Sequence, residues 1–395
     1  MNRRALLLSS VMLRGYGVSV VADEIEKRIS HHGWDLYIGC LNVDDHFRSP
    51  RVQQIAADPQ AIASFCRKNG IEVIAAQTSP YFEALPALTG EFKTLVYEHG
   101  DPSPFFFSQD ATERENIRQH KIREVYANVT KVSASSHFLV QDIEWKDTTV
   151  CYLGADHVKD LGPKTIADVA HRSSRPLRVG TLMRLGVGEA KYKGNEIFLD
   201  IVRQLRLDGK VEAAVMGRGD NDDAEFWKSE GVEVFLNSPD EEKGEYLRGL
   251  DVFISASQWE GFNLPLVEAQ ALGTVGLAFD VGAHPETTLF VATSTDDALS
   301  MIRYWADHRD SLQIASNLSY RYVRNKYKWD ETAQNFATLL TATAGNTALG
   351  RVPTLRGASI SAPSRVTRLL RLVRREGPFK ACVVVARKIQ KRMGH

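Results

Sequence analysis

The 395-residue chain has little of what would classify it by composition alone. Its four cysteines, Cys40, Cys66, Cys151 and Cys382, are scattered and form no CxxC pair. They supply neither a zinc framework nor a disulfide framework, and they suit a reducing compartment. No apolar run is long enough to span a bilayer. Net charge is also missing, because 49 Lys and Arg balance 49 Asp and Glu. The whole molecule therefore has no bulk attraction to nucleic acid. What remains is an ordinary soluble composition, 25% charged and 43% hydrophobic. The length suffices for two domains with cores of their own, and a cytoplasmic location is expected.

The two ends depart from this average. Residues 1–13, MNRRALLLSSVML, imitate a signal peptide, with two arginines before an apolar stretch. There is no clear small-residue cleavage site, and the stretch runs straight into RGYG and an amphipathic pattern. It is read as a first buried strand. At the other end, residues 345–363 are small, polar and turn-rich, as in a flexible linker. Residues 365–395 are basic, with Glu376 the only acid. Val366, Leu369, Leu370 and Val373 lie at helical spacing among arginines. One reading is an amphipathic foot on the anionic inner face of a membrane. The other is a hairpin docked on the chain's own body, or disorder. No aromatic interleaving favours RNA.

Between the ends, apolar runs of strand type alternate with helical periodicities. This predicts an α/β architecture in two blocks, residues 1–165 and 176–344, followed by a tail at 345–395. The first block opens with a strand from Arg4 to Met12, a turn carrying Gly15 and Gly17, and a helix from Val18 to Ser30. The GxG pair is either a tight turn or a place where backbone faces a diphosphate. Later in the block, His99 follows a predicted strand from Thr94 to Glu98, and Phe105, Phe106 and Phe107 come after it. Loops at strand C-termini line ligand crevices in open α/β sheets. The polar segment 159–176 reads as a linker. In the second block, Asp220, Asp222 and Asp223 imitate a metal-binding DxD but read as a solvated loop, and no metal is expected.

The densest signal runs from Asp251 to Gly273. Val252, Phe253 and Ile254 make a strand, Ser255 to Asn263 a loop, and Pro265 suits the first turn of a helix that Gly273 stops. The loop ends on a helix N-terminus, whose free N–H groups and dipole favour an anion. Glu260 and Glu268 bracket this place. On one continuous helix they would stand ~12 Å apart. With a loop between them, both can turn to one ligand. A phosphate would rest on the amides of Gly261, Phe262, Asn263 and Leu264. A carboxylate suits a sugar diol, whose two O–H groups match its two oxygens.

The string Glu260, seven residues, Glu268, with GFNLP between and EAQALG after, resembles the E-x7-E signature of family-four retaining glycosyltransferases. Asp280 to Glu286, which follows, resembles another loop of that family, with Ala283 in place of a glycine. The resemblance implies a GT-B fold: two doubly wound Rossmann-like domains facing a cleft, plus the basic helical tail. It implies transfer of a sugar from a nucleotide-sugar donor to a glycan or lipid-linked acceptor, with retained configuration and no metal or other cofactor. It further implies that Glu268 binds the ribose and that Glu260 holds donor-sugar hydroxyls near the anomeric centre. His99 contacts the sugar, and Arg184 and Lys193 face the diphosphate. Here Glu98-His99-Gly100 stands where many relatives have His-Asp, and Thr181 stands where arginine often follows the strand glycine. Relatives with such tails commonly work in bacterial polysaccharide or lipid-linked glycan synthesis. Two rivals share the fold: a sugar-nucleotide epimerase or phosphorylase, and a non-catalytic nucleotide-sugar-binding protein.

Overall fold

A computed structural model describes residues 2–106, 111–165, 175–186 and 190–345. The side chains of Phe105, Ala190 and Lys191 are outside this description, as are Phe107 and the whole basic tail. Contacts divide the chain into two compact units. Among the described residues, the first takes 2–157, 260–264 and 327–345, and the second takes 158–259 and 265–326.

The first unit holds a seven-stranded sheet. Its strands are β1 (Arg3–Met12), β2 (Trp34–Val43), β3 (Val52–Gln54), β4 (Val73–Ala76), β5 (Lys93–Glu98), β6 (Lys131–Ala134) and β7 (Thr148–Val150). The order is β3-β2-β1-β4-β5-β6-β7, and every pairing is parallel. The stretch that imitates a signal peptide is therefore a strand inside the sheet, and Leu6, Leu7 and Leu8 are fully buried. A strand covered on both faces needs an unbroken apolar run, which explains why it reads like a leader.

The second unit repeats the plan with six strands. These are β8 (Leu177–Leu182), β9 (Val211–Gly217), β10 (Glu233–Leu236), β11 (Val252–Ser255), β12 (Val275–Phe279) and β13 (Phe290–Ala292). They lie in the order β10-β9-β8-β11-β12-β13, again all parallel. Val252 and Ile254 of β11 join one buried cluster while Phe253 joins another. Successive side chains of a strand point to opposite faces, so this sheet is covered on both.

Both block boundaries differ from the sequence reading. Residues up to 165 were assigned to the first block, but Val158 onward packs with the second unit. The buried Lys164 ammonium explains this: it donates to the Leu250 carbonyl and, at 3.0 Å, to Thr274 Oγ1. Conversely, the helix Trp329–Gly345 belongs to the first unit. Ala333, Phe336, Ala337 and Leu340 form its buried face at helical spacing. Phe336 packs 5.4 Å from the ring of Tyr97, and Thr341 Oγ1 accepts from the Trp34 indole at 3.1 Å.

Three local features add to the sequence reading. The helix Tyr81–Leu88 has Pro86 inside it. The helix Ala111–His120 widens into a π-type turn, Lys121–Val125. The aspartates read as a solvated loop start a helix, Asn221–Ser229. There Asp220 caps the N-terminus and Asp223 returns a bond to the Asp220 N–H, both at 2.9 Å.

Candidate functional site

In a doubly wound sheet, ligands bind at the carboxyl ends of the strands where the strand order reverses. In the first unit that point lies between β1 and β4. The Gly15 to Gly17 turn leaves the end of β1, and Gly15 has φ +77°, a value that an L side chain rarely adopts. The helix that follows, Gly17–Ile29, has no side-chain cap on its N-terminus. Gln77 leaves the end of β4; it is 1% exposed and was not singled out from the sequence. Its backbone N–H donates to Leu8 O at 2.9 Å, and its amide Nε2 donates to Val18 O at 2.9 Å. Its Oε1 faces His99 Nε2 at 3.1 Å.

His99 is partly exposed and lies against Tyr97, 4.6 Å between ring centroids. Burial of the ring, and then the nearby Lys121 ammonium, push its pKa down from 6.5 to about 4, so it is neutral at pH 7. Lys121 is itself 4% exposed and reaches Glu98 Oε2 at 2.7 Å and Asp101 Oδ2 at 2.6 Å. Glu98 also accepts from Tyr126 Oη at 2.7 Å and from the Gly100 N–H at 2.8 Å. Burial opposes the Glu98 charge, but Lys121 and these hydrogen bonds outweigh it and hold the carboxyl below the usual range. The buried pair Glu98–Lys121 thus fixes the loop that carries His99. Asp101 has a structural place in this network.

Residues 260–264 belong to the same unit. Glu260 is 8% exposed. A Cβ added to Gly261 would stand closer than 3.0 Å to the His99 carbonyl oxygen. Phe262 is buried against Tyr152 and Tyr327, with centroids 6.4 and 5.2 Å away, so its side chain anchors the loop. Asn263 has φ +71°, a left-handed bend that asparagine tolerates better than most residues. Leu264 opens the helix Leu264–Ala271, and its side chain lies 3.3 Å from the place of a Cβ on Gly17. Gly17, His99 and the stretch Gly261 to Leu264, three separate selections from the sequence, therefore gather in one region of the first unit.

In the second unit the strand order reverses between β8 and β11. Arg184 follows β8 and is exposed. Its carbonyl accepts from Asn195 Nδ2 at 2.9 Å. Lys193 ends the short helix Ala190–Lys193, with Nζ 5.0 Å above the Tyr192 ring. Gly194, at φ +74°, packs so closely on Ala256 O that a Cβ has no room. The Gln258 N–H donates to Tyr192 O at 2.7 Å. The segments carrying Arg184 and Lys193 and the loop after β11 are thus tied together. Asn195 does part of this work and was missed, since a lone asparagine at a helix start looks like an ordinary cap.

Glu268 is 1% exposed and lies 3.0 Å from Lys243 Nζ. Burial opposes the Lys243 charge, yet the Glu268 carboxylate raises its pKa above the ordinary value. Nothing in the sequence marked Lys243, which sits in the charged run DEEKGEYLRG. Asn237, at φ +50°, clasps the turn after β9: Nδ2 donates to Gly219 O at 2.9 Å and its N–H to Gly217 O at 2.8 Å. His284 Nδ1 donates to Phe279 O at 3.0 Å, and its Nε2 lies within hydrogen-bond distance of Ser255 Oγ at 3.0 Å. That bond joins the end of β11 to the loop after β12. Among the described residues, no group of three or more His, Cys, Asp or Glu is arranged to hold a metal, and no helix is long and apolar enough to cross a membrane.

Residues 179–304 match the family model described as Glycosyl transferases group 1. No curated protein gives a significant match. Among solved structures, sucrose-phosphate synthase from Thermosynechococcus elongatus is similar at TM-score 0.72 and 15% identity, over 86% of this chain and 98% of that one. Anabaena HepE in complex with UDP and glucose matches at TM-score 0.67 and 15% identity, over 86% and 100% of the two chains. WaaG, a glycosyltransferase involved in lipopolysaccharide biosynthesis, matches at 0.61 and 11%, over 85% and 99%. The fold is GT-B, with two Rossmann-like parallel-sheet domains.

Proposed function

We propose that the protein is a retaining glycosyltransferase that moves a sugar from a nucleotide-sugar donor to an acceptor hydroxyl. The reading is supported by the match of residues 179–304 to a glycosyltransferase family model, and by a GT-B neighbour holding UDP and glucose. The observation that carries it is Glu268, a buried carboxylate paired with Lys243 in the helix after the β11 loop. A buried charge is costly, and a paired carboxylate beside a helix opening suits a ribose diol.

The remaining roles follow the sequence resemblance. Lys193 and Arg184, with the amides of Gly261 to Leu264, stabilise the negative charge that develops on the leaving diphosphate. Arginine can grip phosphate through two parallel bonds, and lysine acts as a point charge. Glu260 holds sugar hydroxyls near the anomeric centre, and His99 contacts the sugar. The reaction needs no metal on this reading. The acceptor is a glycan or lipid-linked glycan of bacterial surface polymers. The basic segment 365–395, which lies outside the described residues, is assigned to an anionic membrane surface.

The deciding experiment is a thermal-shift screen with UDP-, GDP- and ADP-sugars, since a ligand that binds only the native state raises its stability. At least one donor should raise Tm and be consumed with an acceptor, with or without EDTA. A response to sugar phosphates alone would sink the reading in favour of a phosphorylase. For the tail, vesicle flotation of the full chain is compared with a chain ending after Gly345. A cut at Thr343 would remove part of a packed helix, since Thr343 is fully buried. Equal flotation would remove the membrane assignment.

A further inference from the structure

We infer that Gln77 is a positioning residue that locks His99 as the Nε2–H tautomer, so that Nδ1 offers a hydrogen-bond acceptor to a hydroxyl of the donor sugar. The last clause rests on the proposed glycosyl transfer; the tautomer itself does not.

The argument is one of donors and acceptors. An amide side chain has one end that only donates and one that only accepts. Gln77 Nε2 lies 2.9 Å from Val18 O, a carbonyl that only accepts. The NH2 end must therefore point to Val18, and the oxygen end to His99. Gln77 is held in this orientation by its own backbone bond to Leu8 O and by being 1% exposed. His99 Nε2, 3.1 Å from Oε1, must then carry the proton. The surroundings of the ring keep it neutral: burial and then Lys121 from the π-type turn disfavour a second proton, and the carboxylate of the preceding residue, Glu98, is already occupied by Lys121 and Tyr126. A neutral ring protonated at Nε2 has a lone pair at Nδ1. Among the described residues, no group donates to that nitrogen.

The consequence is a choice of ligand chemistry. An imidazolium would donate from both nitrogens and suit a phosphate oxygen. A neutral ring with Nε2 occupied can only accept at Nδ1, which suits an O–H. Gln77 also joins His99 to Val18, in the first turn after Gly15 and Gly17. One buried amide thus couples two candidate contact points of the first unit. Its place after β4, at the reversal of strand order, is where a Rossmann-like sheet presents groups to a ligand.

The test uses the full chain with 15N-labelled histidine. Two-bond 1H–15N spectra separate the tautomers, and His99 is assigned by its absence from H99Q. At pH 7, the ligand-free protein should show the neutral Nε2–H pattern at His99. A Nδ1–H pattern, or that of an imidazolium, overturns the proposal. Q77M should give a mixture of tautomers, and an unchanged pattern overturns the role of Gln77. If Q77M does not fold, the wild-type spectrum still decides the tautomer. The second arm titrates the nucleotide-sugar donor that raises Tm, and its nucleoside diphosphate, into both proteins. Q77M should bind the donor about tenfold more weakly while the diphosphate is unaffected, as expected for one lost or misaligned hydrogen bond. Equal effects on both ligands, or none, overturn the sugar contact. Failure of the wild type to bind any nucleotide sugar sinks the glycosyl-transfer reading and leaves the tautomer result standing.

Discussion

Gly261 and His99 meet through their backbones. The α-carbon of Gly261 sits so near the His99 carbonyl that a Cβ would come within 3.0 Å of that oxygen. The partner is main chain, which cannot swing away like a side-chain tip. Gly261→Ala must displace the loop 260–264 or the loop after β5. Phe262 pins the first of these between Tyr152 and Tyr327, and Lys121 pins the second through Glu98. The expected outcome is a loss of transfer of at least about a hundredfold, since small misplacements of binding groups cost that much. Tm should fall by only a few degrees, because the core is untouched. Unchanged kcat/KM in Gly261→Ala would show that the close approach has no bearing on the reaction.

Buried Glu268 pairs with the partly exposed Lys243, and this changes how the site must be tested. Glu268→Ala would test the ribose contact and the ion pair at once. The structure shows that the alanine would strand Lys243, whose ammonium is 3.0 Å from the lost oxygen. Removing one member of a fully buried pair costs about 3–5 kcal/mol, and the partial exposure of Lys243 places this site below that range. The cleaner set is Glu268→Gln, Lys243→Met and the double variant, compared by urea denaturation. Both Glu268 variants should lack measurable transfer. The double variant should be more stable than the sum of the singles by roughly 1–3 kcal/mol. Additive losses would mean that the two groups do not interact in solution.

Much of the fold was legible because parallel strands buried on both faces leave continuous apolar runs, as in Ala5 to Leu8 and Val252 to Ile254. The loop from Glu260 to Leu264 was legible because its residue types are demanding: a glycine with no room for Cβ, an asparagine in a left-handed bend, and a proline in a first helical turn. Residues that act from behind were not legible. Gln77 was not singled out, because a buried amide differs from an exposed one only through its partners. Lys121 was not singled out either, since the π-type turn that carries it has no sequence signature. Lys243 was hidden among the charges of Asp240 to Lys243. Asp220 and Asp223 are solvent-accessible as read, but their capping role was missed, although Asp at a helix start with a second acid three residues on fits a capping box.

Gly154 gives a prediction about stability alone. A Cβ there would stand 2.5 Å from both Trp329 Cγ and the Trp329 backbone nitrogen. Trp329 is fully buried, and its N–H is capped by Asp156 Oδ1 at 2.7 Å. Gly154→Ala must therefore push the start of the helix Trp329–Gly345 off the first unit. The expected cost is about 2–4 kcal/mol, the range for strained, overpacked core sites. Asp156→Ala should cost less, about 1 kcal/mol, as a lost helix cap. Urea melts of the two variants check the order, and Gly154→Ala as stable as wild type would contradict the packing.

The acid response should single out His99. Its folded pKa, about 4, lies below the ordinary 6.5, mainly through burial and then through Lys121. In the unfolded chain the ring takes a proton as pH falls below 6.5, while in the folded protein it stays neutral until about pH 4. The unfolded state then binds more protons, so stability falls with pH across this window. The contribution is complete above pH 6.5 and should shrink by roughly 2–3 kcal/mol by pH 4.5. Glu98, whose carboxyl is held below its usual range, adds a further loss only at lower pH. The measurement is the change in unfolding free energy between pH 7 and pH 4.5, for wild type and for His99→Gln. Wild type should lose more than the variant by that amount. An equal loss in both would mean that His99 titrates normally, and that Lys121 and the surrounding burial do not hold it neutral.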